Sequence, residues 1–535
     1  MLIERIDFLR YDKLMTIPKE VKNILTKLQE AGFEAYAVGG CVRDLLLQKI
    51  PKDWDIATNA LPERIQEIFP DTFYENKFGT VTVKQFSADE KLEQIEVTTY
   101  RVDEAYTDKR HPDAVRFTPN LQEDLARRDF TINAIALDLA GKITDPFGGQ
   151  EDLAQGVIRA VGEPEKRFNE DALRMLRAVR FSVELVPRGS VKQGFSPLEI
   201  LKESGEAKQS KQKFLTGFSI EEKTKKAIKK NAAWLQAIAK ERIRDEFVKI
   251  IMSERPDEGI LLLHELGLLE YIIPELEKGF GVAQNKHHIY TIFEHGVFSL
   301  KFAAHPVKSA TADHGARKKS NFIVRLAALL HDVAKTQAKR GEGEDATFYN
   351  HDIMGARAAI RILERLRFDN ETIEGVAHLI RHHMFVYDVG AVTEAGVRRL
   401  LARVGPANME DLIALRVADR LGSGVPKAQP YRLRHFQYMV DKVQHDPISA
   451  KMLKVNGHDL MDELKIKPGP KIGAILDVLL AEVIEEPQKN DKDILLARAK
   501  ELDSADLAQL RQMAKARIEE EKEEEDKVIK GRYWV

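Results

Sequence analysis

The sequence contains one cysteine, three tryptophans and a formal net charge of only -2 over 535 residues. Each shortage excludes something. A single thiol, Cys41, cannot close an intramolecular disulfide, so the fold stands without covalent staples and suits a reducing cytoplasm. As a nucleophile Cys41 is a poor candidate, because a small residue at a strand-to-turn junction is more often packing. No stretch approaches the roughly eighteen unbroken apolar residues of a membrane helix, so no membrane partner is expected. The opening segment MLIERIDFLRYDKLM carries charges between its apolar positions and predicts neither a signal peptide nor an anchor. With so little net charge there is no bulk attraction for nucleic acid, and any such binding must come from local groups.

What is present is a soluble composition, 43% hydrophobic and 31% charged, in a chain long enough for several cores. After a helical lead-in at 18–31, residues 35–161 alternate short β-rich runs with helix-like ones: EAYAVGG, FGTVTVKQF, QIEVTTYR, TINAIALDL and GVIRAVG. These predict one mixed-sheet domain. From Phe168 onward, 3.6-residue apolar periodicity dominates, as in DALRMLRAVRF and VRLAALLHDVAK, which predicts an α+β front followed by an all-α remainder. The expected division is a sheet head at 1–160, a helical neck and body at 161–280, a further helical domain at 281–425 and a helical carboxyl region with a charged tail at 426–535. Polar segments at 186–216 and 304–320 read as surface insertions. The first overlaps LVPRGS, identical to a protease recognition sequence used in recombinant expression, and carries no assigned function.

The stretch GGCVRDLLLQKIPKDWDIAT, residues 39–58, brings paired glycines, an arginine and two alternating aspartates together. On a strand, Asp53 and Asp55 point to one face and Trp54 to the other. Two carboxylates on one face repel unless a cation joins them, and hard oxygen ligands suit Mg²⁺. Upstream, Gly39 and Gly40 follow the apolar run AYAV, where absent side chains let backbone N–H groups approach phosphate oxygens, with Arg43 adding a fork of donors. The combination points to a nucleoside triphosphate held by its phosphates with metal at the reacting end. The bland reading of an isolated DxD is a polar strand edge.

These motifs, with RRDFTINAIA (127–136), DPFGGQEDL (145–153), EDALRMLRAVRF (170–181) and KERIRDEFVKII (240–251), resemble in order the series of class II tRNA nucleotidyltransferases. That family comprises CCA-adding enzymes and related bacterial poly(A) polymerases. The resemblance covers about residues 35–270. It implies that Asp53 and Asp55 hold Mg²⁺, that Gly39, Gly40, Arg43 and Arg128 lie at the phosphates, and that Asp129 and Asn133 lie near the sugar. Glu96, on a probable strand, is a candidate third carboxylate. The segment 100–117 is similar to the loop that in this family helps switch from C to A addition.

Asp171 and Arg174 stand three apart on an expected helix and so share a face. An aspartate offers acceptors and an arginine donors, so the pair matches an amino group beside an unprotonated ring nitrogen, the edge of cytosine and of adenine. Guanine and uracil present the reverse. Arg177 and Arg180 continue the step as candidate phosphate contacts. The competing reading is an Arg stripe with an ion pair from Asp171 to Arg174.

The helical remainder carries His295 in FEHG, His331 and Asp332 in LLHDVAK, His351 in NHDIMGA, His382 and His383 in RHHMF, and Asp419 in RVADRLGSG. A His-Asp doublet on an apolar helix is costly to bury without a compensating cation. The set resembles the HD family of metal-dependent phosphohydrolases. By that resemblance His295, His331, Asp332 and Asp419 bind a divalent transition metal or Mg²⁺, and His351 and His383 serve a second metal or phosphate, with His288 and His382 ambiguous neighbours. The expected activity is therefore addition of C, C and A to the 3′ end of tRNA from CTP and ATP, with phosphohydrolase activity in the helical region. A poly(A) polymerase, or a phosphohydrolase with a nucleotide-sensing front, are the rivals.

Overall fold

The computed structural model describes residues 17–74, 78–104, 114–185, 217–284, 289–305, 317–389, 391–424 and 431–514. The expected insertion at 186–216, most of that at 304–320, the charged run after 514, His288 and the centre of the 100–117 segment lie outside the described residues. The chain divides into two units, residues 1–280 with 362–369, and residues 281–361 with 370–535.

In the first unit, the helix Lys19–Glu30 buries Val21, Ile24, Leu25 and Leu28, a spacing that makes one apolar stripe. The stripe covers a mixed sheet of strands β1 (Ala35–Val38), β2 (Asp55–Thr58), β3 (Thr72–Phe73), β4 (Thr80–Lys84) and β5 (Gln94–Thr99). A hairpin of β6 (Arg101–Glu104) and β7 (Ala114–Phe117) stands apart, and β8 (Ala136–Leu137) and β9 (Ile143–Thr144) complete the sheet. The seven strands run in the order β3-β4-β5-β2-β1-β8-β9, with β2 and β5 parallel and the other neighbours antiparallel. Val81, Val83, Ile95 and Val97 are buried, while Thr82, Gln94 and Glu96 alternate onto the other face. This is the expected α+β front.

One expected strand falls elsewhere. Val157–Ile158, in GVIRAVG, pairs in parallel with Ser219–Ile220 in a separate two-stranded ladder. Glycines with positive φ at 156 and 162 bracket the run and leave it too short to extend the sheet. Two helices follow, Pro164–Glu170 and Leu173–Glu184, interrupted at Asp171, whose φ of -144° and ψ of 105° are extended. The second packs against Lys240–Ile251, with Phe181 and Phe247 buried and Phe130 meeting Phe181 edge-on at 5.8 Å.

The second unit is helical. Thr291 and Glu294 form a reciprocal cap on the helix Ile292–Ala304, Glu294 N–H donating to Thr291 Oγ1 and Thr291 N–H to Glu294 Oε2. This fixes the first turn, which carries His295. The helix lies so close to Pro406–Gly422 that a Cβ at Gly422 would fall 2.2 Å from Ser299 Oγ. Further along, Leu460, Ile475, Leu479, Val483, Ala499 and Leu510 build a separate small core. Among the described residues no helix is long and apolar enough to cross a membrane.

Candidate active site and metal centre

Asp53 lies in the bend before β2 and Asp55 opens the strand, with Trp54 buried between them. Parallel pairing places Asp55 beside Glu96 of β5. The register, which the β2 sequence alone does not give, is what gathers three carboxylates. Burial raises the Asp55 carboxyl, Arg128 opposes and Asp53 adds. Glu96 is also raised, by burial and then by Asp55 and Asp53. Negative charge is thus concentrated where a divalent cation relieves it, and an all-oxygen donor set fits Mg²⁺. The three do not form a closed cage. Among the described residues, groups of three ligand atoms within 4.8 Å of one another occur only in the second unit.

Next to the carboxylates, Gly39 has a φ of +78°, and a Cβ there would meet Arg128 Nη1 at 2.7 Å. The backbone angle requires glycine, and a side chain there would also push the Arg128 guanidinium aside. We expect Gly39→Ala to cost about 1–3 kcal/mol from the backbone conformation alone and to displace Arg128. Calorimetry would read the first effect and a raised KM for nucleoside triphosphate the second. Gly40 opens the helix Gly40–Leu46, which carries Arg43. The thiol of Cys41 donates to the Val38 carbonyl at 3.2 Å, and burial pushes its pKa up to about 12, so it is packing.

A hydrogen-bonded line crosses this region. Arg43 Nη1 donates to Asn133 Oδ1 at 2.7 Å, and Asn133 Nδ2 donates to Asp129 Oδ1 at 3.0 Å. Arg177 closes it on Asp129 Oδ2, with Nε at 2.8 Å and Nη2 at 2.7 Å. Burial disfavours the Asp129 charge, yet Arg177 and Asn133 prevail and hold its carboxyl far below the usual range. Arg180 is placed elsewhere: it is buried, donating to Glu246 at 2.6 Å and to Glu184 at 2.8 Å.

Asp171 and Arg174 share the site without sharing a helix face, because Asp171 occupies the kink before Leu173–Glu184. The i, i+3 ion pair offered as the bland reading is not formed. Asp171 pairs with Arg242 at 2.8 Å and Arg174 with Glu170 at 2.9 Å. Glu170 and Arg242 have no role in the sequence-based reading; Arg242 comes from 71 residues away, and nothing in local spacing points to its partner.

In the second unit, His295, His331, Asp332, Asp419, His351 and His383 converge. Asp332 Oδ2 stands 3.2 Å from His295 Nε2 and 3.3 Å from His331 Nε2, and Asp419 Oδ1 stands 3.2 Å from His295 Nε2. Asp332 Oδ1 faces His351 Nε2 at 3.5 Å and His383 Nε2 at 3.9 Å. Three of the histidines are locked alike: Nδ1 of His331, His351 and His383 lies 2.9, 2.7 and 2.7 Å from the carbonyls of Ala328, Phe348 and Ile380. A carbonyl only accepts, so Nδ1 carries the hydrogen in all three, and in the neutral rings of His351 and His383 Nε2 turns its lone pair inward.

Burial drives the His331 imidazole down, but Asp332 and Asp419 outweigh it and lift its pKa to about 10. His383 goes the other way, lowered by burial first and then by His331 and His351 beside it. Among the described residues, Asp332 Oδ1 and His351 Nε2 are buried without a hydrogen-bond partner. Such orphaned acceptors fit a metal ion, and the mixed imidazole and carboxylate donors suit a transition metal as well as Mg²⁺. Lys335 and Arg416 were both missed by sequence: Arg416 holds the outer oxygen of Asp419, Oδ2, at 2.6 Å, whereas Lys335 lies 2.7 Å from Asp332 Oδ2, the same oxygen that faces His295 and His331. His382 stays outside the cluster, meeting His378 edge-on with ring centroids 4.8 Å apart.

Three family models match this chain: a poly A polymerase head domain at residues 35–159, a probable RNA and SrmB binding site of polymerase A at 217–280, and a putative tRNA nucleotidyltransferase domain 2 at 348–499. The CCA-adding enzyme of Ligilactobacillus salivarius is 34% identical over 499 residues, 91% of this chain and 98% of that protein. This chain belongs to the CCA-adding enzyme family. The Leuconostoc mesenteroides CCA-adding enzyme is 41% identical over 497 residues, again covering 91% and 98%. The crystal structure of the Bacillus stearothermophilus CCA-adding enzyme in complex with CTP superposes with a TM-score of 0.60 at 27% identity, covering 91% of this chain and 98% of that one. As a CCA-adding family member the protein is a nucleotidyltransferase, with the head sheet in front and a helical body behind.

Proposed function

We propose that this protein adds C, C and A to the 3′ end of tRNA from CTP and ATP, releasing pyrophosphate. The observation that carries the proposal is the juxtaposition, in one unit, of the Asp53, Asp55 and Glu96 carboxylates with the Arg43 to Arg177 line and the Asp171 and Arg174 pair. Asp53 and Asp55, with Glu96 beside them, would hold Mg²⁺, which when bound favours the deprotonated 3′ hydroxyl and neutralises triphosphate charge. Gly39 leaves room for Arg128, and Arg128 with Arg43 receives the phosphates. Asp129, kept anionic by Arg177 and Asn133, would accept from the sugar. Asp171 accepts from the exocyclic amino group of cytosine or adenine while Arg174 donates to the adjacent ring nitrogen. No nucleic-acid template is needed for that choice.

The test is incorporation into tRNA lacking its last three nucleotides, with Mg²⁺ and each labelled triphosphate singly and in pairs. We expect growth by three nucleotides that stops and that requires both CTP and ATP. A long ladder from ATP alone would make the protein a poly(A) polymerase.

The histidine cluster favours a second activity, metal-dependent hydrolysis of phosphate esters. His295, His331, Asp332 and Asp419 would hold one ion. His351 and His383 fit a second ion better than a phosphate, since an anion needs donors and their Nε2 atoms offer lone pairs.

A further inference from the structure

Asp171 and Arg174 are each gripped by a residue of opposite charge. Arg242 donates to both oxygens of Asp171, 2.8 Å to Oδ2 and 3.3 Å to Oδ1, and the Leu173 N–H donates to Oδ1 at 3.0 Å. Arg174 gives Nη1 to Glu170 at 2.9 Å and Nη2 to the Arg127 carbonyl at 3.1 Å. The result is two separate ion pairs, Asp171 with Arg242 and Glu170 with Arg174, Glu170 also receiving Arg167, in which only Asp171 and Arg174 carry the base-reading chemistry.

The two readers are not held equally well. Arg174 sits in the first turn of a helix, bonded to a carboxylate and to the carbonyls of Arg127 and Arg167. Asp171 lies in extended backbone between two helices, so no helical geometry sets its direction. Apart from one backbone N–H, Arg242 alone among the described residues is hydrogen-bonded to its carboxylate.

Resting on the reading that Asp171 and Arg174 choose the base, we propose that Arg242 is a specificity-determining residue that positions the Asp171 carboxylate and does not itself touch the base. The reason lies in how rejection works. A fixed carboxylate meets the carbonyl oxygen of uracil or guanine acceptor to acceptor, which is repulsive. A loosened one retreats and admits a water molecule, which donates to both oxygens and turns the repulsion into a bridge. Each carboxylate oxygen has more than one lone pair, so the Arg242 bonds and the bond from an incoming amino group coexist. Holding Asp171 therefore costs little for cytosine and adenine and denies uracil and guanine their adaptor.

The experiment uses the full chain and tRNA lacking the terminal three nucleotides, with kcat and KM for CTP, ATP, UTP and GTP. The variants are Arg242→Gln, Arg242→Lys and Asp171→Asn, with melting temperatures on the same samples. We expect Arg242→Gln to reduce the preference for CTP over UTP, taken as the ratio of kcat/KM values, by about tenfold or more. The loss appears mainly as a lowered KM for UTP with the KM for CTP little changed, and Arg242→Lys restores part of the preference. An unchanged ratio with a slower rate or lower melting temperature makes the pair structural and overturns the proposal. A lower KM for CTP overturns it too, because the pair would then be a latch that binding must break. If Arg242→Gln does not fold, the ratio in Arg242→Lys decides, since lysine keeps charge but loses the two-pronged grip. Asp171→Asn separates the levels: if it leaves the ratio unchanged, the base-reading assignment itself fails, whereas an altered ratio there with none in the Arg242 variants defeats only the positioning role.

Discussion

An Asp55→Asn chain is expected to lose nucleotide addition by about 10³-fold or more while keeping its fold. The size follows from the several kcal/mol that charge stabilisation by a bound metal contributes to phosphoryl transfer, since each 1.4 kcal/mol is about tenfold. The fold is expected to survive because Asp55 contributes repulsion: burial and Asp53 both disfavour its charge, and Glu96 faces it across the sheet. Asparagine keeps the size and removes the charge, so the melting temperature should hold or rise slightly. Single-turnover incorporation of labelled CTP, with a thermal melt on the same sample, checks both halves. A parallel loss of activity and stability would mean that Asp55 shapes the sheet and does not serve the reaction.

Asp332→Asn should strip metal from the second unit. Its two oxygens serve different histidine sets, Oδ2 toward His295 and His331 and Oδ1 toward His351 and His383, so one substitution weakens both. Ligand loss should lower bound Mn²⁺ or Ni²⁺ by about 10- to 100-fold or more after dialysis, read by elemental analysis of the full chain. Hydrolysis of p-nitrophenyl phosphate should fall in step. Asp332→Ala also strands the buried Lys335 ammonium, which stands 2.7 Å from the carboxylate, at a cost of about 3–5 kcal/mol. Incorporation of CTP and ATP should be unaffected by either change. Metal content that survives in Asp332→Asn would defeat the metal reading of this cluster.

The pattern of what sequence revealed is physically consistent. Alternation in FGTVTVKQF and QIEVTTYR exposed β4 and β5 because one face is buried and the other open, so the two-residue period is written in polarity. Thr72–Phe73 was not legible, since two residues carry no period. Asp171 and Arg174 do not share the helix face that their spacing predicts. Regular spacing across 171–180 hides a break in the backbone that frees Asp171 and sends Arg180 into a pair of glutamates. Partners distant in the chain, such as Arg242 for Asp171 or Glu96 for Asp55, depend on tertiary registration that no local window contains. For the histidines, motif resemblance named the cluster, but only the carbonyls three residues upstream of His331, His351 and His383 show which ring nitrogen faces inward.

The acidic sheet and the histidine cluster draw on separate residues in separate units. No side chain serves both. A single codon change in one set therefore leaves every side chain of the other in place, so the two can be altered one at a time within one chain.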